Sequence, residues 1–169
     1  MKAEPQKEHA WLQRFVGNWT YEFDATPEPG PSQPGQSPPG QSPPNHKGSE
    51  SVRSLDGIWI VAEGKLEMPG GAVATTIMTL GYDPRRERFV GTWLGTMMTH
   101  LWLYEGSLNA AENVLTLDAE GPDMSAEGKI TKYQDIVEFK SNDHRILTSR
   151  ILGDDGQWRQ FMTAHFRRT

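Results

Sequence analysis

Five histidines, a short run of carboxylates and six tryptophans are the side chains in this sequence best equipped for chemistry. His9, His46, His100, His144 and His165 show no paired ligand spacing of the H-x-x-x-H kind, and the chain has no cysteine. A zinc site would therefore have to be assembled by the fold from distant positions. A haem asks for only one axial imidazole, so it survives that argument. Asp118 and Glu120 fall on one face of an alternating run, and Asp123 follows Gly121-Pro122. Paired carboxylates can do acid–base work or hold a hard cation. A strand that ends in a Gly-Pro-Asp turn yields the same residues for local reasons, and that reading is preferred. Neither a G-x-S-x-G elbow nor a phosphate-cradling glycine loop is present.

The aromatic residues point to binding. Met98, His100, Trp102 and Tyr104 alternate with Thr99, Leu101 and Leu103, and Trp19, Tyr21 and Phe23 alternate with Thr20, Glu22 and Asp24. Near the C-terminus Arg159, Phe161, Thr163, His165 and Arg167 oppose Trp158, Gln160, Met162, Ala164 and Phe166. A face mixing aromatics with His, Thr and Arg suits a ligand cavity, which needs apolar walls and a few placed polar groups. The mixed faces are expected inside. The alternative is an interior filled by Leu101, Leu103, Met162 and Phe166. The expected ligand-binding set is Trp19, Tyr21, Trp93, His100, Trp102, Tyr104, His165 and Arg167. The five tryptophans and tyrosines would be wall, and the two histidines with Arg167 the polar contacts. Small residues beside Trp93 (Gly91, Thr92 and Gly95) would leave room. The ligand would be a small apolar or amphipathic molecule. A cofactor-free isomerase or cyclase using His100 or His165 as general acid–base is the competing enzyme reading.

These residues have to be positioned by strands. Residues 5–16 carry Trp11, Leu12, Phe15 and Val16 on one helical stripe, with Pro5 suited to the first turn and Gly17 to the stop. Beyond Trp19 the period changes to two. Candidate strands are 18–25, 49–55, 58–67, 72–82, 87–95, 98–106, 113–119, 129–140, 143–152 and 157–167. Asp56-Gly57, Met68-Pro69-Gly70-Gly71, Asp83-Pro84, Asn142-Asp143 and Gly153-Asp154-Asp155-Gly156 separate them. Such short connections exclude crossover helices, so the sheet is antiparallel, and closure removes its exposed edges. The expectation is an all-β, up-and-down antiparallel barrel of about ten strands in a single domain spanning 1–169. A barrel of that size is more often hollow than one of eight strands.

Residues 26–48 interrupt this pattern with 8 of the chain's 12 prolines and a tandem Pro-Gly-Gln-Ser-Pro-Pro repeat from Pro34 and Pro39. That composition cannot bury apolar area, so the segment reads as a flexible loop insertion. A lid or a docking site for a proline-recognising partner is the functional version, tolerated surface insertion the plain one. In 169 residues with a net charge of −5, no basic cluster exceeds Arg85-Arg86 with Arg88, which argues against nucleic acid. No signal-type apolar segment follows Met1, and no run reaches membrane-helix length. The expected compartment is cytoplasmic.

Gly17-Asn18-Trp19, placed after a short helix at the start of the first strand, resembles the opening of lipocalins and related calycins. In that group a basic residue near the end of the last strand packs over the tryptophan, and Arg167 or Arg168 stands in that place. Ten strands without internal helices are more similar to fatty-acid-binding proteins and nitrobindins than to eight-stranded lipocalins. The nitrobindin likeness implies haem as an alternative ligand, with His165 as the axial candidate and His100 next. A closer resemblance covers most of the chain. Glu8-His9-Ala10-Trp11-Leu12, Met78 to Pro84, Phe89-Val90-Gly91-Thr92-Trp93, Glu120-Gly121-Pro122-Asp123-Met124 and Asp154 to Arg168 resemble a bacterial family of unknown function, the one numbered 1579. It implies a calycin-like fold and no activity.

Overall fold

A computed structural model describes residues 3–24 and 47–169. The loop expected at 26–48 lies outside them, except Lys47 and Gly48, which open a strand. The chain begins with a short helix, α1 (Lys7–Leu12), followed by a single 3-10 turn, Gln13–Phe15. Ten strands follow: β1 (Gly17–Phe23), β2 (Lys47–Leu55), β3 (Trp59–Glu67), β4 (Val73–Asp83) and β5 (Arg88–Gly95), then β6 (Trp102–Leu108), β7 (Val114–Pro122), β8 (Ile130–Ser141), β9 (His144–Leu152) and β10 (Trp158–Arg168). Each pairs antiparallel with its sequence neighbour. β10 returns to β1 in the register Trp19↔Arg168 and Tyr21↔Phe166, so the sheet is a closed barrel.

Two elements differ from expectation. Residues 98–101 are not strand, because a turn with Met98 N–H on the Gly95 carbonyl (3.2 Å) delays β5–β6 pairing until Trp93↔Trp102. His100 therefore sits in a loop. The helix is shorter than 5–16, since its last turn tightens to 3-10 geometry before Val16 becomes extended.

One end of the barrel is stoppered. His9 Nδ1 accepts from the Gln6 backbone N–H (2.9 Å) at the start of α1, and its Nε2 reaches the Tyr82 carbonyl (3.1 Å). The first contact makes Nδ1 an acceptor, so the proton sits on Nε2 and is donated to Tyr82. Trp11 donates its indole N–H to the Glu112 carbonyl at 2.7 Å. Its ring meets Phe15, Phe89 and Phe139 edge-on at 5.6–5.8 Å. Leu12 and Phe15 are completely buried. Burial of each stabilises by about 1.5–3 kcal/mol, enough to hold so short a helix in place. Below the stopper, Ile60, Leu80, Leu115 and Leu117 fill the interior.

Arg168 fastens the stopper to the wall. Its guanidinium donates to the carbonyls of Val16 (2.6 Å), Arg14 (2.9 Å) and Asn142 (2.9 Å) and lies 4.2 Å from the Trp19 ring centroid. The choice between Arg167 and Arg168 is thus resolved in favour of Arg168. Gly17 is required beside it: φ is +130°, and a Cβ there would fall 2.4 Å from Arg168 Nη1. Arg145, 2% exposed, covers Trp19 from a second direction at 4.7 Å and Phe166 at 4.0 Å, and forms an ion pair with Glu50.

A candidate binding cup at the open end

Strand alternation assigns the wall. Trp93, Trp102 and Tyr104 occupy inner positions, because they pair through the inner row that runs from Leu80 and Phe89. Leu101 and Leu103 are exposed on the outside, 48% and 61%. On β10 the assignment is the reverse of the expected one. Met162, Ala164, Phe166 and Arg168 face inward, opposite Ser149, Leu147, Arg145 and Trp19 respectively. His165 and Arg167 stand on the outer face. The register Tyr21↔Phe166 forces this, because Tyr21 is inward and cross-strand partners share a face.

On the inner face, Met78, Trp93, Trp102, Tyr133 and Leu147 keep partial exposure, as Tyr82 and Leu108 do beside the helix. The rings achieve this by lying against glycines. A Cβ on Gly121 would lie 2.3 Å from the Trp102 ring, and one on Gly48 would lie 2.1 Å from Tyr21. Among the described residues, these rings line the end of the barrel opposite the helix, a candidate cup from whose edge the 68–72, 96–101, 123–129 and 153–157 turns emerge.

An aromatic chain follows the rim. His100 meets Trp102 edge-on at 4.8 Å, Trp102 meets Tyr133 at 4.8 Å, and Tyr133 meets Phe161 at 6.1 Å. Trp102 points its indole N–H at Met98 Sδ (3.1 Å), and Tyr133 donates to the Pro122 carbonyl (2.5 Å). His100 is held by the Glu120 carbonyl at 3.1 Å.

One rung deeper sits a group that the sequence reading missed. Asp135, two residues on from Tyr133 along the same face of β8, accepts hydrogen bonds from Tyr104 and Ser149. Burial pushes its carboxyl above the usual carboxylate range despite both donors, and the burial of Tyr104 beside it raises that phenol well above its own. Tyr21, pushed up to about 12 by burial and by Glu50, lines the wall beside Phe166 with rings stacked at 4.7 Å. The signal for Asp135 was present: it is the one acid in the alternating row Tyr133, Val137 and Phe139.

Of the eight expected binding residues, Trp93, Trp102 and Tyr104 come together at the cup, with His100 on its rim. Tyr21 lines the wall. Trp19, 1% exposed, is enclosed at the stopper. His165 and Arg167 lie outside, where His165 contacts His144 (3.1 Å) and Asp24 (3.2 Å). Burial and the nearby Arg167 hold the His144 imidazole below its usual range. Haem would need an imidazole on the inner wall. Among the described residues none of the inner strand positions is a histidine, and both ring nitrogens of His9 are engaged at the helix. His165, the first axial candidate, is thus on the outer face, and His100, the second, stands at the rim with its Nε2 on the Glu120 carbonyl. The carboxylates that suggested a cation site serve the surface: Asp118 accepts from Gln134 (2.7 Å), and Asp123 caps the turn through Ser125 N–H (2.9 Å). No described helix is long and apolar enough to cross a membrane.

A family model described as a protein of unknown function (DUF1579) matches residues 4–168. No curated protein matches the chain. A solved structure titled a redesigned beta barrel is similar over 99% of both chains, at 10% identity and a TM-score of 0.45.

Proposed function

The chain belongs to the DUF1579 family of proteins of unknown function, and we propose that it binds a small, largely apolar or amphipathic molecule inside the open end of its barrel. One observation carries this reading: inner-face Met78, Trp93, Trp102 and Tyr133 keep partial exposure and share the inner face with the hydrogen-bonded Tyr104–Asp135–Ser149 group. A barrel built only for stability gains by filling such space, because each unfilled methyl-sized void costs about 1 kcal/mol. Apolar walls with one deep polar group are what binding sites for small molecules share. Ligand enters at the rim, rests on Trp93 and Trp102, and directs its polar end to the Tyr104–Asp135–Ser149 group.

Native mass spectrometry of gently purified protein, compared with the denatured chain, tests the proposal. A discrete excess mass released by denaturation, or uptake of the neutral fluorophore N-phenyl-naphthylamine that Trp102→Ala weakens at least fivefold, supports it. A bare chain that also fails to take up the fluorophore overturns it.

A further inference from the structure

We infer that the cup selects molecules carrying a positively charged nitrogen, which Asp135 holds at the floor while Trp102, Tyr133 and Trp93 enclose the attached apolar body. This rests on the binding reading above and adds the ligand's chemical class. The argument begins with charge. Glu50, the other inward carboxylate of the barrel wall, is paired with Arg145, and Arg168 is consumed by backbone carbonyls and Asp143. Asp135 contacts two hydroxyls and, among the described residues, no cation. Tyr104 and Ser149 each occupy one carboxylate oxygen, and each oxygen retains a second lone-pair direction. An anion desolvated without a counter-charge is unfavourable, and a ligand cation corrects that imbalance.

Geometry supplies the second line. Tyr133 and Trp102 are each two residues nearer the rim than Asp135 and Tyr104 on their strands. They form an upper rung, with rings 4.8 Å apart, above a lower rung joined by the Tyr104–Asp135 hydrogen bond. Successive inward rungs of a strand lie about 6.5–7 Å apart. That is the span of an aryl or alkyl group with an ammonium at its end. Indole and phenol faces attract a cation by their quadrupole, so the ring walls and the carboxylate favour the same charge. An anionic head would meet the carboxylate, whereas Arg145, two inward rungs along β9 from Ser149, is already paired with Glu50. Burial without a counter-charge raises the Asp135 carboxyl, and a cation bound beside it would lower it again.

Isothermal titration with three matched probes, naphthylethylamine, naphthylethanol and naphthylacetate, tests the inference at neutral pH. The amine is expected to bind at least tenfold tighter than the alcohol, with the acetate weakest. In Asp135→Asn the amine's advantage should disappear, the alcohol serving as the check that the variant's cup is still formed. Equal affinity for amine and alcohol, or an amine preference that survives Asp135→Asn, overturns the charged anchor and leaves the binding cup standing. If none of the three probes binds the wild-type chain, the cup reading fails and this inference with it.

Discussion

The Arg168 guanidinium lies 4.2 Å from the centre of the Trp19 ring and joins the last strand to the turn before the first. Arg168→Ala removes a cation–π contact worth about 0.5–2 kcal/mol and frees the carbonyls of Arg14, Val16 and Asn142. Urea unfolding should show a loss of about 2–4 kcal/mol. Arg167→Ala, on the outer face, should stay within about 0.5 kcal/mol. Equal losses for the two would contradict the register that puts Arg168 inside.

Glu50→Gln leaves the Arg145 guanidinium buried among Phe15, Trp19 and Phe166 without its counter-ion. Breaking such a pair from one side costs about 3–5 kcal/mol. Replacing both partners, as Glu50→Leu with Arg145→Met, should cost clearly less than the two single changes summed. Additive losses in a double-mutant cycle would mean the pair is not coupled.

Asp135 gives the stability curve a pH dependence whose sign is fixed. Its folded-state carboxyl is raised, so on increasing pH the unfolded chain ionises first and the folded chain holds its proton longer. Stability from this group is complete below the ordinary carboxylate range and declines as pH rises toward the elevated folded value. Asp135→Asn does not titrate there. Its melting temperature relative to wild type should therefore rise between pH 4 and pH 8, and a difference that stays flat or falls contradicts the raised carboxyl.

Binding should map to the inner face. His165→Ala changes an outer-face contact with His144 and Asp24, and N-phenyl-naphthylamine uptake should stay within twofold of wild type. Trp93→Ala removes a wall, and uptake should fall at least fivefold. Reversal of that order would place the ligand on the outside of the sheet.

The barrel was legible because its strands alternate and its turns are short. Trp19, Tyr21 and Phe23 against Thr20, Glu22 and Asp24 give an unambiguous inner side. β10 misled for a physical reason. Both of its residue sets are amphipathic, and a register shift between Gln160 and Met162 changes the frame partway, so Phe161 reaches Tyr133 while Met162 faces Ser149's strand position. No single alternation describes such a strand. Histidine type alone drew attention to His100 and His165, but type says nothing about which side of a sheet a residue occupies. Asp135 escaped notice because a lone acid in a strand ordinarily marks the solvent face. Only the closed ring of strands turns that position inward, and ring closure depends on pairings no local window contains.

Ring closure also orders events during synthesis. Val16 and Arg168 touch across 152 positions of sequence, and β1 has no second neighbour until β10 is laid beside it. Contacts so remote form late, since the intervening chain must first be restrained. A nascent or C-terminally shortened chain therefore carries two unpaired edges, those of β1 and β9, each able to recruit a strand from another molecule. The eleven residues of β10 act as the latch of the barrel, and damage there should show first as aggregation in the cell rather than as loss of binding.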